Sequence, residues 1–412
     1  MSRTQALRLA ALNPVGHATG PAVWLERLVL TDFRNYGRAE IQVDRRPVVL
    51  TGPNGAGKTN LLEAISFLIP GRGLRHARLP EVDRLVADTA QDAPRRAAWG
   101  IAATVNRPEA QIELGTGRDP AALGSRERRL VKVDGSLAGG QSILARILSV
   151  TWLTPQMDRL FHDGATQRRK FIDRLVFGLD PDHAKRLGQY DHLLHERSQV
   201  LRNEGEASRN PAWRDPAWLS ALEQQIAERG VAISAARQDL IGRLAGAMAA
   251  GTGPFPRANL RMEGAVDAWL EEMPALAAEE RLRDMLAHSR AADAETGGAL
   301  WGPHRSDLVA IHEETRMPAA LCSTGEQKAL LVATILAFAR LLADLRAQTP
   351  LLLLDEVVAH LDEIRRHAFF EELRLLGLQA WLTGTEAAFF APLAGEAQFF
   401  DVRDARIAPS IA

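Results

Sequence analysis

The sequence lacks several features that would assign it to a specialised class of protein. Its 412 residues contain one cysteine, Cys322, which excludes an internal disulfide framework and fits a reducing compartment such as the cytosol. No apolar run reaches the ~18 residues that a membrane-spanning helix needs, so none is expected. The formal net charge of −1 excludes a global basic field. Any binding to nucleic acid must therefore use local basic patches.

The N-terminal segment lacks the apolar core and the cleavage pattern of a signal peptide, and the chain shows no repeats. We expect residues 1–22 to form a disordered tail. The rest predicts an α/β part at 23–160, a mainly helical insertion with a short αα-hairpin at 161–295, and a second α/β part at 296–412. Apolar or alternating runs predict strands at 24–30, 38–43, 47–51, 99–105, 111–114, 130–133, 147–153, 351–354, 378–383 and 398–402.

Residues 52–59 match the phosphate-loop pattern G-x-x-x-x-G-K-[ST] at every position. The match follows an apolar strand and begins a helix, and in that context backbone amides bind phosphate oxygens. Lys58 is expected to reach the β and γ phosphates and to act in catalysis, and the Thr59 hydroxyl is expected to bind Mg²⁺. The residues predicted to contact ATP are Gly52, Pro53, Asn54, Gly55, Ala56, Gly57, Lys58 and Thr59.

Two acids follow a run of four leucines at 351–354. A strand that is buried on both faces has such a continuous apolar run. Asp355, at the carboxyl end of this strand, is predicted to hold Mg²⁺, and Glu356 to activate the attacking water as a general base. The alternative is an acidic strand end that simply faces solvent.

The segment 323–327, STGEQ, precedes a helix and resembles the signature of ABC-type ATPases. A signature at a helix N-terminus can bind the γ-phosphate that a second molecule holds. Ser323, Gly325 and Gln327 are therefore predicted nucleotide contacts, although a helix cap is the simpler explanation of the segment alone. The order of the motifs predicts an ABC-type P-loop ATPase head, a mixed sheet with helices on both faces, carrying the inserted helical subdomain.

Other segments follow the same order. Residues 359–362, AHLD, resemble the D-loop, which lines a dimer interface. Gln156 stands where the Q-loop is expected and is predicted to bind either Mg²⁺ or the attacking water. An ordinary polar strand end would also explain Gln156. No histidine occupies the usual switch position at 383–386, where Thr383 or Thr385 is the candidate substitute.

Further motifs resemble those of the RecF family, which is related to SMC heads. They are LTDFRNY at 30–36, the phosphate loop and its helix at 52–65, QRRKFIDR at 167–174 and GPHRSDL at 302–308. The similarity covers about residues 24–405. Together these motifs are more specific than the ATPase motifs alone.

The resemblance implies a cytoplasmic, ATP-dependent DNA-binding protein of replication and recombinational repair. Such proteins recognise gapped and single-stranded DNA, act with RecR and RecO in loading RecA, and support the SOS response. The resemblance also implies an ATP-dependent homodimer and slow, weak DNA-dependent ATP hydrolysis.

Two basic clusters are candidate DNA contacts, because Lys and Arg bind phosphates without regard to sequence. For either cluster a solvated surface is the simpler alternative. For His304 and Arg305 a structural or nucleotide-proximal role is favoured, and Arg34 is either near the nucleotide or an ordinary surface residue. The clusters are Arg126, Arg128, Arg129 and Lys132 near a hairpin, and Arg168, Arg169 and Lys170 at the start of the insertion.

Three other classes compete with this interpretation. A structural SMC protein needs coiled-coil arms far longer than the stretch between Gln156 and Ser323 allows. A transporter ATPase subunit would keep a switch histidine and has no reason for the segments at 167–174 and 302–308. A P-loop kinase would lack the signature and the D-loop.

Overall fold

The structure is a computed structural model that describes residues 23–86, 95–121, 128–202, 216–251, 253–346 and 349–410. The predicted tail at 1–22 and Arg126 of the first basic cluster lie outside the described residues. Within these ranges, no helix is both long and apolar enough to cross a membrane.

The first sheet is antiparallel. Its first strand alternates between buried and accessible residues, so that Leu28 and Leu30 face the core between more accessible neighbours. Asp134 and Gly135 both have positive φ values and turn the last hairpin, as the Asp-Gly pair predicts. In spatial order the strands are β2 (Tyr36–Gln42), β1 (Trp24–Phe33), β6 (Gly100–Asn106), β7 (Gln111–Arg118), β8 (Arg129–Val133) and β9 (Ser136–Leu137).

The second sheet is parallel except for its last strand, which pairs antiparallel. In spatial order its strands are β10 (Val150–Leu153), β13 (Leu351–Leu354), β14 (Ala380–Gly384), β3 (Val48–Thr51), β15 (Gln398–Arg403) and β16 (Arg406–Ser410). Two short antiparallel pairs complete the described strands: β4 (Arg84–Val86) with β5 (Arg95–Ala97), and β11 (Ala258–Glu263) with β12 (Asp307–His312).

The helices differ greatly in length and include the two longest elements of the described chain, of 35 and 23 residues. They are α1 (Lys58–Ser66), α2 (Leu144–Ile147), α3 (Ala165–Leu179), α4 (His183–Arg202), α5 (Pro216–Ala250), α6 (Ala265–Glu272), α7 (Ala275–His288), α8 (Arg290–Thr296), α9 (Thr324–Arg346) and α10 (Glu363–Leu376).

The parallel sheet is covered on both faces, which explains the four leucines of β13. Leu352 and Leu354 belong to a core with α3, α9 and α10, whereas Leu351 and Leu353 pack with α1 and the antiparallel sheet. Because successive strand residues point to opposite faces, a strand between two cores must be apolar throughout. The predicted mixed α/β architecture is therefore confirmed.

A third core lies among α4, the first half of α5, and α6 to α8. Arg197 is buried in it and donates to Glu223 at 3.0 Å and to Asp293 at 2.7 Å. Pairing of this kind offsets the cost of burying a charge. The second half of α5 instead packs with α3 on the core of the parallel sheet. The proposed division at residues 160 and 296 stays a prediction.

Some predicted elements differ from the structure. The apolar run at 147–153 is not one strand: Ile147 ends α2, and only Val150–Leu153 forms β10. A short apolar run is compatible with a helix and with a strand, and its periodicity cannot distinguish between the two. The pair β11–β12 was not predicted, because its two strands are far apart in the sequence. The final strand β16, at the edge of the second sheet, was not predicted either.

Candidate nucleotide-binding site

The phosphate loop at 52–59 joins the end of β3 to the start of α1. Gly52 and Gly57 have φ values of 143° and 119°, which favour glycine. A Cβ atom on Gly52 would overlap the Val402 carbonyl oxygen, and one on Gly57 would stand 2.5 Å from the Tyr36 hydroxyl. The loop shape therefore requires glycine at both positions.

Lys58 is the first residue of α1 and is largely buried. Its ammonium donates hydrogen bonds to the carbonyl oxygens of Gly52 and Pro53, at 2.7 and 2.9 Å. Burial lowers the pKa of Lys58, while the carboxylates of Glu356 and Asp355 act in the opposite direction. The lysine thus lies between the loop and the acids at the end of β13.

Asp355 is the centre of a hydrogen-bond chain at the carboxyl edge of the parallel sheet. Its Oδ1 accepts from the Thr59 hydroxyl at 2.9 Å and from the Thr383 hydroxyl at 2.8 Å. The Thr383 hydroxyl also accepts from the Glu356 amide at 3.0 Å. Burial raises the pKa of Asp355, the two hydroxyl hydrogen bonds lower it, and the Glu356 carboxylate raises it again.

The donor set at this edge fits magnesium and a triphosphate. Mg²⁺ prefers hard oxygen ligands, and Thr59 Oγ1 and Asp355 Oδ1 supply two of them within hydrogen-bond distance of each other. The N-terminus of α1 adds a partial positive charge next to the loop glycines. The loop, the helix start and the acids together form one candidate site for ATP with Mg²⁺.

Two predicted residues reach the same edge from neighbouring strands. Thr383 is the penultimate residue of β14, and its hydroxyl donates to Asp355. It therefore lies in the segment where a switch histidine was expected, whereas Thr385 is exposed. Gln156 is exposed in the turn after β10, which is the neighbour of β13 in the sheet. Its proposed contact with Mg²⁺ stays a prediction.

The signature segment begins α9 with a capping box. The Ser323 hydroxyl and amide both donate to the Glu326 carboxylate at 2.8 Å, and the Glu326 amide donates back to the Ser323 hydroxyl at 3.3 Å. Ser323 and Gly325 are exposed, and a Cβ atom on Gly325 would meet open space. This helix start is accessible to a second molecule.

The structure corrects the prediction for Gln327. Its side chain is fully buried, and its amide donates to the Cys322 carbonyl oxygen at 2.8 Å and contacts the His162 ring at 2.9 Å. One turn into the helix, position 327 faces the core rather than the exposed end. Gln327 therefore supports the base of the signature and does not present its side chain to a nucleotide.

The FRNY segment braces the helix of the phosphate loop. Arg34 donates two hydrogen bonds to the buried carboxylate of Glu63 on α1, at 2.9 and 2.6 Å, and Arg75 donates a third at 2.9 Å. The Asn35 amide donates to the Ala56 carbonyl oxygen at 3.2 Å. Arg34 is therefore a structural residue behind the loop and not an ordinary surface arginine, while its proximity to the nucleotide stays a prediction.

Sequence reasoning missed Glu63 altogether. The available signal was a single acid within the apolar stretch LLEAI of α1, at a position that helical spacing turns toward the core. A buried carboxylate needs cationic partners, which Arg34 and Arg75 provide. Neither arginine is near Glu63 in the sequence, so their pairing could not be predicted.

We expect Glu63→Gln to lower the free energy of unfolding by about 2–4 kcal/mol, because two arginines lose a buried counter-charge while remaining partly hydrated. Urea unfolding measures the change. Glu40→Gln is the matched control, since its partner Arg27 is exposed and the variant should unfold like the wild type. Equal stability of the two variants would contradict the bracing role of Glu63.

The first basic cluster is not a single surface patch. Arg129 is buried and donates to Thr116, Ile69 and Gly71, and burial lowers its pKa to about 9. Its guanidinium fixes the segment after α1 and cannot reach DNA, so the prediction for Arg129 is corrected. Lys132 is exposed and remains a candidate, as does the exposed Arg128.

The second cluster divides in the same way. Arg168 forms two hydrogen bonds of 2.7 Å with the Asp307 carboxylate, and Arg169 donates to the Ser306 carbonyl oxygen at 2.8 Å. These contacts attach α3 to the GPHRSDL segment. Arg168 is therefore occupied by a structural ion pair, while Lys170 is exposed.

The GPHR segment has a structural role in the described chain. The Tyr190 hydroxyl and the His304 ring are 2.8 Å apart, and the other ring nitrogen of His304 lies 2.9 Å from the Ala299 carbonyl oxygen. Arg305 also donates to that carbonyl oxygen, at 2.9 Å. These contacts join α4 to the segment before β12 and agree with the structural alternative for His304 and Arg305.

Comparisons with known proteins agree with this fold and motif order. The family model described as RecF/RecN/SMC N terminal domain matches residues 24–391. The DNA replication and repair protein RecF of Mesorhizobium japonicum is 44% identical over 390 residues, covering 94% of this chain and 98% of that protein. RecF of Rhizobium johnstonii is 43% identical over 387 residues, covering 93% and 98%.

A likeness to solved structures supports the same fold. The recombination mediator protein RecF with ATP, in the RecFOR pathway, superposes with a TM-score of 0.76 at 20% identity, covering 95% of this chain and 100% of that one. At such identity the likeness concerns the fold alone. The family model and the curated relatives, which span almost the whole chain, establish that this chain belongs to the RecF family.

Proposed function

We propose that this chain binds ATP with Mg²⁺ and, in the ATP-bound form, pairs with a second copy to act on DNA in replication and recombinational repair. The observation that supports the proposal most directly is the chain of contacts from Thr59 through Asp355 and Thr383 to Glu356. It unites a phosphate loop, a magnesium ligand set and a candidate base at one sheet edge.

Each residue of this edge has a proposed task. Lys58 and the amides of the loop bind the phosphates, and Thr59 and Asp355 hold Mg²⁺, with Gln156 as a further candidate ligand. The metal, when bound, neutralises charge on the β and γ phosphates. Glu356 takes a proton from the attacking water. Thr383 orients Asp355 and the Glu356 backbone through its hydroxyl.

The second half of the site comes from a second copy of the chain. Ser323 and Gly325 are exposed at the N-terminus of a 23-residue helix, where a hydroxyl and an amide can bind a γ-phosphate. The capping box fixes the Ser323 side chain in advance. A partner that presents these groups binds ATP-loaded chains in preference to empty ones, which couples dimerisation to ATP.

Family membership supports the proposed DNA substrate and partners. The curated relatives are named for DNA replication and repair, and a solved relative for the RecFOR pathway. We propose a cytoplasmic protein that recognises gapped and single-stranded DNA, works with RecR and RecO in loading RecA, and supports the SOS response. Its ATP hydrolysis is proposed to be slow and to respond weakly to DNA.

A structural SMC-type role is the main alternative. At 1.5 Å per residue, the 20 residues of α4 and the 35 residues of α5 extend roughly 30 and 52 Å. Both pack into folded cores along their described lengths instead of projecting as a coiled coil. This observation favours a compact head over an arm-bearing structural protein.

Light scattering tests the proposal directly. With ATP and Mg²⁺ the mass of the particle should double, and binding to gapped DNA at low salt should rise with it. A chain that stays monomeric with saturating ATP and ignores DNA would contradict the proposed function. ATPase assays with single-stranded, duplex and gapped DNA, each with and without RecR, would then rank the substrates.

We expect Ser323→Arg to keep ATP binding and abolish ATP-dependent dimerisation, because the long arginine side chain at the exposed helix start sterically blocks close approach of the partner's phosphates. Calorimetry measures ATP affinity and light scattering measures mass. Ser136→Arg, at an exposed serine of β9, is the matched control and should dimerise normally. If Ser323→Arg dimerised at the same ATP concentrations as the wild type, the proposed role of the signature would be refuted.

A further inference from the structure

A cavity of about 440 Å³ lies between the segment after α1 and the helical subdomain. It is separate from the phosphate loop, none of whose residues lines it. Its size is within the range of small-ligand sites, which are commonly 300–1,000 Å³. Residues of the QRRKFIDR segment form one side and residues of α4 form another.

Four cations line this cavity without a carboxylate partner: Arg72, Arg169, Lys170 and Arg174. Throughout the described ranges, no carboxylate oxygen lies within 4.0 Å of any of the four. Other arginines of the same region, such as Arg168, are paired. Positive charge without a counter-charge is costly near a low-dielectric wall, and an anion would relieve it.

The acids of the wall do not neutralise this charge. Asp173 accepts two hydrogen bonds of 2.8 Å from Arg237 and contacts the His183 ring at 3.0 Å. That carboxylate is therefore already matched by Arg237. Among the described residues that line the cavity, Asp191 is the one acid that remains to face the four cations, and burial followed by the charge of Asp173 raises its pKa.

Arg174 is the innermost of the four cations. Its guanidinium carbon lies 4.4 Å from the Trp152 ring centre, and its Nη2 donates to the Trp152 carbonyl oxygen at 3.2 Å. Its Nε is buried without a hydrogen-bond partner, and burial lowers its pKa to about 9. Such an unsatisfied donor is uncommon in folded proteins.

The same cations also act on a neighbouring histidine. Burial lowers the pKa of His76 on the cavity wall, and the charges of Lys170, Arg174 and Arg72 lower it further. Three cations therefore act together at one point of the wall. An anion placed there would be attracted by all of them at once.

Part of the wall is apolar. Phe177 and Leu187 are partly exposed to the cavity, and Ile233 and Pro303 extend the same wall. A ligand that carries only negative charge would leave these side chains uncovered. A flat, apolar group attached to a phosphate would cover them and satisfy the cations together.

We propose that this cavity binds a nucleotide, with its phosphate on Arg72, Lys170 and Arg174 and its base against Phe177 and Leu187. The same chemistry is offered by a free mononucleotide and by the phosphorylated terminal nucleotide of a DNA strand. The inference does not rest on ATP binding at the phosphate loop, because the two sets of residues do not overlap.

Calorimetry with the full chain tests this site, using thymidine 5′-monophosphate, thymidine, inorganic phosphate and a short oligothymidylate with or without a 5′-phosphate. Thymidine monophosphate should bind more tightly than thymidine or phosphate. Lys170→Glu and Arg72→Glu should each weaken binding by about tenfold or more, since each removes a charged contact and adds repulsion. Both side chains are exposed, so the fold should tolerate the changes.

Arg45→Glu is the matched control, an exposed charge reversal that precedes β3, at the end of that strand opposite the phosphate loop. It should bind thymidine monophosphate like the wild type, and all three variants should keep their ATP affinity. Charge-dependent binding of the phosphorylated oligonucleotide alone also supports the site and identifies a strand end as its ligand. Binding that is unchanged by both reversals, or equal for phosphate and thymidine monophosphate, overturns the proposal.

Discussion

Lys58→Ala is expected to lose most of the affinity for ATP. A lysine in this position makes charged hydrogen bonds to two phosphates, each worth about 1.5–3 kcal/mol, so affinity should fall by roughly a hundredfold or more. In the structure, two backbone carbonyls hold the Lys58 ammonium over the loop. These carbonyls cannot attract an anion, so they do not replace the lost charge.

Titration calorimetry with ATP and Mg²⁺ measures this loss, and light scattering should show a variant that stays monomeric with ATP. Lys132→Ala is the control, because Lys132 is an exposed lysine on the antiparallel sheet. It should bind ATP normally. Nucleotide binding by Lys58→Ala at wild-type affinity would show that the phosphate loop is not the ATP site.

Glu356→Gln is expected to reduce ATP turnover by about 10²–10⁴-fold while leaving ATP affinity intact, because only the proton-accepting group is lost. The variant should accumulate as an ATP-bound dimer. Its backbone supports this expectation. The amide of Glu356 is anchored to the Thr383 hydroxyl, and its φ of 55° fixes an uncommon conformation that glutamine can also adopt.

Single-turnover hydrolysis and light scattering after ATP addition measure the two parts of this expectation. Glu386→Gln is the matched control, since Glu386 is an exposed carboxylate that follows β14 at the same edge of the sheet. It should turn over ATP like the wild type. Unchanged turnover in Glu356→Gln would assign the base to another residue.

The candidate ATP site could be predicted largely from the sequence because its parts are local. A phosphate loop needs glycines, a lysine and a hydroxyl within eight positions, and the fold that supports it needs only a strand before and a helix after. The acids after 351–354 were found for the same reason, since burial on both faces leaves an apolar run. Such signals survive in a single sequence.

Predictions that depended on side-chain direction were less successful. Gln327 and Arg129 are polar residues in segments that look accessible, yet both are buried. The Gln327 amide contacts the distant His162 ring, and Arg129 donates to the distant Ile69 carbonyl oxygen. A sequence records which groups are polar but not which of them face the core. Only packing decides whether an arginine binds DNA or fixes the chain.

The sequence alone determined the order of the ATPase motifs, the buried central strand and the resemblance to the RecF family, because each depends on residues that are close in the chain or follow a period. The tertiary structure alone decided that Arg34 braces Glu63 and that Thr383 completes the hydrogen-bond chain at Asp355. It alone also decided that cations without a carboxylate partner line a cavity apart from the phosphate loop. These features join residues far apart in sequence, and their free energy depends on distances that only the folded chain sets.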